Sequence, residues 1–555
     1  MIGWVLLAFA LVAAPAWASG RFADQPPVWA VEDTIPIPAP EPSGWNRYQS
    51  FIDQYWLQPV DDVLSLRSHP PAADVNSREE VPASSWFTPR NGLRPLPPEV
   101  VSWGNVAESE IDRSVPLRII EARLEGPEPF AIAVEGSGRH VVLEFDDSRY
   151  PEVRTAAIIV ASRLLHAAGY NVLPSFIDEI LISDLSAEPD ARRVSEFGKT
   201  GALDPFELQE FLSRLAPEGA GGSIRVAASR LPEGRVIGGF AERGTRSDDA
   251  NDRIPHEDRR SLRGLRVFAA WLDHTRMRTD RTLDVYLEPQ GFLRHYLTGL
   301  GATLGARMTH PHPGGMEGRE PYVDWIRWLR NWGAMGFGDV YAARRGATRF
   351  GGVGDLGVRG FDPPRWRPAY AYEPFRRADW ADAFWGVRGV TAFTDEQIRA
   401  AVEAGHLSNP AATNYLTGVL AERRDRIGWS YLAEINAADN FRVVRSPQGR
   451  YSLTVEDLGI TRGLKHPQDV QYVLEFRLPD LGETLGLQAR GGDRLEFDLM
   501  PFLPADWRHR DDPSRYGVAA LCAYDARGRR AEGETRVHIY FDAERGPRII
   551  GVERG

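Results

Sequence analysis

Apolar positions change their period several times along the chain, and each change predicts a different element. In the stretch from about 115 to 185, FAIAVE and RHVVLEFDD enclose Gly136-Ser137-Gly138, which predicts a β-hairpin. RTAAIIVASRLLHAAG follows with apolar residues at helical spacing up to Gly169, and a strand comes next. The pattern therefore predicts the order hairpin, helix, strand.

A second set of elements follows a charged, Gly-rich stretch at about 184–258, which we predict to separate the two sets. RRSLRGLRVFAAWLDH carries its apolar residues on one helical face, and TLDVYLE and FLRHYLT predict a second hairpin. A capping box from Thr394 to Gln397 starts a further helix that ends at Gly405, and the next helix opens with Pro410.

From about 440 the pattern turns to short alternating runs with turn residues between them. These runs are YSLTVEDL, VQYVLEFRL, RLEFDLM, VAALCAYDA, RVHIYFDA and RIIGVE. Regularly spaced alternation of this kind predicts a β-sandwich or a small barrel over 440–555.

The N-terminus reads as an export signal. Residues 1–18 contain an apolar run that ends in Ala16-Trp17-Ala18, a small-x-small site, and an uncleaved membrane anchor is the alternative. No later segment is apolar enough to span a membrane, so we expect a secreted or periplasmic protein. The Pro-rich stretch 19–105 predicts an arm lying on the next domain, or else a disordered tether.

Composition limits the kinds of partner that the chain is expected to bind. At 555 residues the chain needs several domains, and its net charge of −11 argues against nucleic acid, which requires a basic face. Cys522 is the single cysteine, so no intramolecular disulfide can form. The basic residues are almost all arginine, since Lys199 and Lys465 are the only lysines.

The middle of the chain resembles the atypical protein-kinase-like (HipA/CotH-like) fold, and more narrowly a group of exported bacterial proteins that carry it. The resembling segments are EVPASSWFTPRNG, LEFDDSRYPEV, SRLLHAAGYNV, IPHEDRRSLRGLRVFAAWLDH, RHYLTGLGATLG and YLTGVLAERRDRIG. The resemblance implies an α+β protein in which a kinase-like domain with helical additions precedes the β-sandwich. That domain would span 106–435, with an N-lobe at about 115–185 and a C-lobe at about 255–435.

The resemblance also implies where catalytic residues would stand, and this chain departs from the pattern at each place. Phosphoryl transfer needs a strand lysine, a helix carboxylate, a loop Asp and an Asp/Asn set on the metal ions. By motif alignment, the lysine position holds Glu144 and the helix carboxylate position holds Ile158. The loop Asp and Asn positions hold Arg276 and Arg281, and Gly299 stands where the Asp of D-F-G is expected.

These departures predict a catalytically silent domain that uses no cofactor. We expect it to bind a protein or polymer at the cell envelope. Arg276, Arg278 and Arg281, with His274, are expected to form a cationic cleft for a carboxylate or phosphate group of that partner.

Two other functions remain open from the sequence. One is a secreted atypical kinase or nucleotide-dependent transferase that has rebuilt a metal site from Glu144, Asp273, Asp280 and Asp284. Asp273 and Asp284 are equally compatible with capping a helix end and a turn. The other is a carbohydrate-binding protein that works through the β-sandwich and exposed tryptophans.

Two further patterns have simpler explanations. His310, His312 and Glu317 could hold zinc, but their spacing matches no known zinc motif and favours a solvated loop. A set of tryptophans could stack on a sugar, but their helical spacing favours a core role. This set comprises Trp325, Trp328, Trp332, Trp366, Trp380 and Trp385.

Overall fold

The computed structural model describes Phe22, 29–42, 70–306 and 350–555, apart from short gaps. The gaps are at 93, 127, 196–198, 216–221, 369–371, 479–482, 492–494, 504–514 and 543. The proposed signal at 1–18, the His310–His312–Glu317 group and Trp325, Trp328 and Trp332 lie outside the described residues. Helices and several sheets are mixed along the rest of the chain, which confirms an α+β class. In these described ranges, no helix combines the length and apolar character needed to cross a membrane.

The first large unit is a seven-stranded sheet with a helix packed on it. Its strands are β1 (Leu117–Arg123), β2 (Phe130–Val134), β3 (His140–Phe145), β4 (Ser175–Leu181), β5 (Leu185–Val194), β6 (Thr200–Ala202) and β7 (Ser223–Arg230). The strand order is β4-β7-β3-β2-β1-β5-β6. The predicted β2–β3 hairpin is confirmed, with Val134 opposite His140. The predicted helix is also confirmed and ends at Gly169, whose φ of 131° suits glycine.

The expectation that 184–258 only separates two units is wrong. This stretch supplies β5, β6 and β7, a helix at Pro205–Leu215 and a strand β8 at Arg235–Gly238. β7 lies between β3 and β4, inside the sheet. Its sequence SIRVAASR mixes arginine and serine with small apolar residues, so the apolar run that marks a buried strand is missing.

The helices can now be labelled in chain order. They are α1 (Pro98–Trp103), α2 (Val153–Ala168), α3 (Pro205–Leu215), α4 (Arg260–Arg263), α5 (Leu265–Leu272), α6 (Glu373–Arg377), α7 (Trp380–Thr391), α8 (Asp395–Glu403), α9 (Pro410–Leu432) and α10 (Leu458–Thr461). The predicted capping box of α8 is confirmed, since Gln397 N donates to Thr394 Oγ1 at 3.2 Å and Thr394 N donates to Gln397 Oε1 at 3.0 Å. The helix predicted from RRSLRGLRVFAAWLDH is divided into α4 and α5 at Gly264, where a Cβ would lie 2.4 Å from the Trp385 ring.

A second hairpin and a helical core complete the middle of the chain. β9 (Thr282–Leu287) and β10 (Phe292–Leu297) pair antiparallel as predicted, and β8 adds a third strand. Trp366 and Trp385 are 5% and 8% exposed in the core formed with α2, α5, α7, α8 and α9. The core role predicted for these two tryptophans is therefore confirmed.

The C-terminal part consists of two antiparallel sheets over one hydrophobic core, as the alternating runs predict. The smaller sheet contains β11 (Ala438–Arg445), β12 (Tyr451–Asp457) and β15 (Leu495–Asp498). The larger sheet has the order β14-β13-β16-β17-β18, from β13 (Val470–Leu478), β14 (Glu483–Gly491), β16 (Tyr516–Asp525), β17 (Thr535–Asp542) and β18 (Gly546–Arg554). β11 and β14 were not predicted; β14 is mostly exposed, so burial imposes little alternation on it.

The described parts of the Pro-rich arm lie against the rest of the molecule. Phe22 packs with Tyr516 and Ile550 of the larger C-terminal sheet. The Asp33 carboxylate accepts hydrogen bonds from the backbone N and the Oγ of Ser85 at 3.0 and 2.7 Å. The Phe22 contacts tie the arm to the larger C-terminal sheet, and the Asp33–Ser85 hydrogen bonds join two parts of the arm.

Candidate functional site: a buried arginine–glutamate cluster

Most positions that the kinase resemblance singles out meet in one buried region. The β1–β2 loop supplies Glu128, β3 supplies Glu144, and α2 supplies Arg154 near its first turn. The loop after α5 and the turn after β10 close the region from the other side. Together with Arg123, Arg276 and Arg281, these three residues (Glu128, Glu144 and Arg154) form the Arg–Glu cluster.

Glu128 lies at the centre of the cluster and is 4% exposed. Its Oε1 is 3.2 Å from Arg276 Nη1, and its Oε2 is ion-paired with Arg281. Burial alone would raise the pKa of this carboxyl, but the guanidiniums of Arg281, Arg276, Arg154 and Arg123 outweigh burial and hold the pKa far below its usual range. Glu128 is therefore ionised and acts as the shared anion of several arginines.

A strand–helix ion pair stands where the resemblance expects a lysine and a glutamate, but its charges are exchanged. Arg154 Nη2 lies 2.7 Å from Glu144 Oε1, and both side chains are largely buried. The same guanidinium donates to the carbonyl of Pro129 at 3.2 Å. Ile158, the expected carboxylate position, is 2% exposed and packs with Ile159 and Ala227. An ion pair therefore joins the strand to the helix, but an acid stands at the position where the resemblance expects the lysine that contacts a phosphate.

The arginines of the loop after α5 are turned inward. Arg276 and Arg281 bind Glu128, while Arg278 Nη2 lies 3.0 Å from Asp280 Oδ2. Their side chains are between 6% and 12% exposed. The positive charge expected from the sequence is present, but the open cationic cleft is not observed, because the guanidiniums are buried against carboxylates. Binding of a partner by these arginines stays a prediction.

His274 is enclosed beside the cluster. It is 1% exposed, and neither ring nitrogen has a hydrogen-bond partner in the described structure. Burial, reinforced by the charge of Arg281, lowers the pKa of His274 to about 4. The ring is therefore neutral at physiological pH.

Two glycines leave the space that the cluster arginines occupy. A Cβ on Gly299 would lie 2.4 Å from Arg281 Cδ, and Gly299 has a φ of 66° that favours glycine. A Cβ on Gly301 would lie 2.5 Å from Arg154 Nε. Leu300 between them is buried in the main core, as expected for the apolar residue of the motif. The arginine side chains thus occupy the volume beside the turn that a metal-binding aspartate would need.

The acids considered as a rebuilt metal site are held by separate partners. Asp273 Oδ1 accepts from Trp366 Nε1 at 3.1 Å, and Asp284 Oδ1 lies 2.7 Å from His295 Nδ1. Asp280 is engaged by Arg278 and Arg281, and Glu144 by Arg154. Within the part of the chain that the structure describes, no group of three or more His, Cys, Asp or Glu side chains has the arrangement of a metal site.

Glu128 and Arg154 were missed by the sequence reasoning. Glu128 follows a Gly-Pro turn outside every resembling segment, so nothing in the local pattern marks it as buried. Arg154 carried a usable signal, because it precedes Ile158 by four residues and therefore shares its helical face. An acid on the strand and a base on that helical face together indicate an ion pair whose charges are reversed relative to the kinase pattern.

Comparison with family models, with curated proteins and with solved structures gave no match for this chain. The chemistry of the site therefore rests on its own geometry. With Arg278 and Asp280 added, the Arg–Glu cluster contains five arginines and three acids, so it has a positive surplus. Such an arrangement can hold elements together and repel a divalent cation.

Proposed function

We propose that this chain is an exported kinase-like protein that does not transfer phosphate and that acts by binding or scaffolding at the cell envelope. The kinase-like assignment is supported by the order of its elements: a β2–β3 hairpin, helix α2 packed on the sheet, and a β9–β10 hairpin that leads into the Gly299–Leu300–Gly301 turn. Export is supported by the signal-like residues 1–18.

One observation carries the non-catalytic part of the proposal: Glu128 is buried and ion-paired with Arg276 and Arg281, and Arg154 is buried against Glu144, in the region where the resemblance would place a metal and a triphosphate. Phosphoryl transfer depends on positioning the phosphates and on neutralising their charge with metal ions and a lysine. By the resemblance, the acid Glu144 takes the lysine position, Arg276 and Arg281 take the positions of the loop Asp and Asn, and Gly299 takes that of the metal-binding Asp. A phosphate would meet an acid where it needs a cation, and a metal ion would meet cations where it needs acids.

The cluster fits a scaffold for a second reason. It joins the β1–β2 loop, β3, α2 and the loop after α5 through buried ion pairs. In kinases the corresponding elements move during turnover. Buried pairs of this kind are costly to separate, so we infer that the two sides of the region stay in one arrangement.

A thermal-shift titration of the full chain with ATP and Mg²⁺ or Mn²⁺ tests this proposal. A ligand that binds the folded state raises the melting temperature by mass action. We expect millimolar nucleotide with metal to leave the melting temperature within about 1 °C of the value with metal alone. A ligand that did bind, at about 100 times its Kd, would stabilise the folded state by about 2.7 kcal/mol and raise the melting temperature. ATP with EDTA and metal without ATP serve as controls. A shift that requires both nucleotide and metal would overturn the proposal in favour of a working kinase site.

A further inference from the structure

An open groove of about 590 Å³ lies between α1, α8 and α9, and no residue of the Arg–Glu cluster lines it. Gly418 of α9 contributes to its lining, and a Cβ on Gly418 would meet no atom within 4 Å. The groove is therefore empty at this point and accessible along the helix surface.

The groove has an aromatic rim. Trp103 at the end of α1 lines the groove and is 56% exposed. A tryptophan that keeps its indole in solvent loses favourable burial, and such exposed aromatic area is typical of binding surfaces. The indole face is also the best aromatic partner for a cation.

Charge along the groove is predominantly negative. Glu99, Asp395, Glu396 and Glu403 contribute carboxylates, whereas Arg399 is the one basic residue among the groove-lining side chains that the structure describes. Arg399 lies 3.8 Å from Glu403 Oε1.

Part of this charge is compensated from outside the groove. Asp395 Oδ1 is 2.8 Å from Arg424 Nη1, so its charge is balanced by a neighbouring arginine. The groove still retains a negative surplus after this pair and the Arg399–Glu403 pair are counted. The whole chain, at −11, adds a long-range field of the same sign.

We propose that this groove docks a cationic peptide segment of a partner protein, with an arginine or lysine over Trp103 and neighbouring basic side chains on Glu99 and Glu396. Carboxylates spaced along a groove beside an indole face complement a basic extended chain in charge and in stacking. The inference goes beyond the proposed function and does not depend on the absence of phosphoryl transfer.

Fluorescence anisotropy of a labelled hexa-arginine peptide with the full chain tests this proposal. We expect saturable binding at one peptide per chain that weakens as salt rises, because exposed charge pairs are screened. Trp103→Ala should weaken binding by at least about fivefold, in keeping with loss of a cation–π contact and its buried area. Gly418→Leu should weaken it at least as much by filling the groove, and it should not destabilise the helix, since leucine has the higher helix propensity.

The matched control is Trp429→Ala, because Trp429 is 65% exposed on α9 but does not line the groove. This variant should bind the peptide as the unmodified chain does, and all three variants should keep its melting temperature. The proposal is overturned if hexa-arginine does not bind, if Trp103→Ala and Gly418→Leu bind it unchanged, or if Trp429→Ala weakens binding equally. Preferential binding of a neutral chitin hexasaccharide would also overturn it, in favour of a sugar-binding groove.

Discussion

At Glu128, one carboxylate lies among the guanidiniums of Arg276, Arg281, Arg154 and Arg123 in a place that water barely reaches. Taking these charges out of water costs several kcal/mol per ion, and only their mutual pairing offsets it. Glu128 therefore balances several arginines at once, while Glu144 and Asp280 each pair with one of them as well. Loss of Glu128 would leave cations facing one another in a medium of low polarity.

Glu128→Gln is the sharpest test at the residue scale. The amide keeps the size of the side chain but removes the charge, so we expect the free energy of unfolding to fall by about 3–5 kcal/mol. Glu188→Gln is the matched control, because Glu188 pairs with Arg118 at 2.7 Å on the surface, where Arg118 is 52% exposed. The control should cost less than about 1 kcal/mol. Urea denaturation of both variants measures the difference, and equal losses would show that the cluster is not structurally critical.

Residue identities allowed the charge at Glu144, Arg276 and Arg281 to be predicted, whereas the loss of catalytic residues at these positions and at Gly299 stays a prediction. Their side-chain orientation could not be predicted. A run of arginines in a loop indicates charge, but whether that charge faces water or a buried acid depends on a partner far away in sequence. Glu128 is that partner, and it precedes Arg276 by 148 residues.

At the scale of elements, β3 and α2 are joined by the Glu144–Arg154 pair, with an acid on the strand and a base on the helix. Replacing one partner alone would break the pair as well as its link to the rest of the Arg–Glu cluster. The pair therefore contributes to the way β3 and α2 are held together.

A double-mutant cycle with Glu144→Gln and Arg154→Gln measures this link. We expect a coupling energy of about 1–3 kcal/mol, since the two groups are in contact and largely buried. The Glu121–Arg192 pair between β1 and β5 is the matched control, with Arg192 65% exposed. Its coupling should be below about 0.5 kcal/mol. Similar coupling energies for the two pairs, measured by chemical denaturation, would contradict the role given to Glu144 and Arg154.

Elements with strong local signals were predictable. α2 ends at a glycine, α8 starts at a capping box, α9 starts at Pro410, and both predicted hairpins form. β5 and β7 escaped prediction because their burial is imposed by neighbouring strands rather than by their own periodicity. Only two of the ten residues of β5 are fully buried, and β7 carries Arg225 and Arg230 within a largely buried strand.

At the scale of the whole molecule, the arm, the helical core and the C-terminal sheets share one charged junction. Arg388 of α7 is ion-paired with Glu80 of the arm and lies 3.4 Å from Asp439 of β11. Arg554 of β18 reaches the same aspartate at 3.1 Å, and its guanidinium stacks 3.8 Å from the Phe384 ring centroid. Burial lowers the pKa of Arg554 to about 10, so it remains charged at neutral pH. The parts named from the sequence are therefore joined by buried contacts.

Electron paramagnetic resonance of Mn²⁺ titrated into the full chain with millimolar ATP tests the central claim most directly. The claim is that the chain's own arginines and Glu128 occupy the volume that a nucleotide–metal complex would require. We expect the spectrum to stay that of Mn²⁺–ATP in buffer at every protein concentration. The claim is contradicted if that signal is lost saturably at one ion per chain and if the Asp280→Asn substitution abolishes this loss.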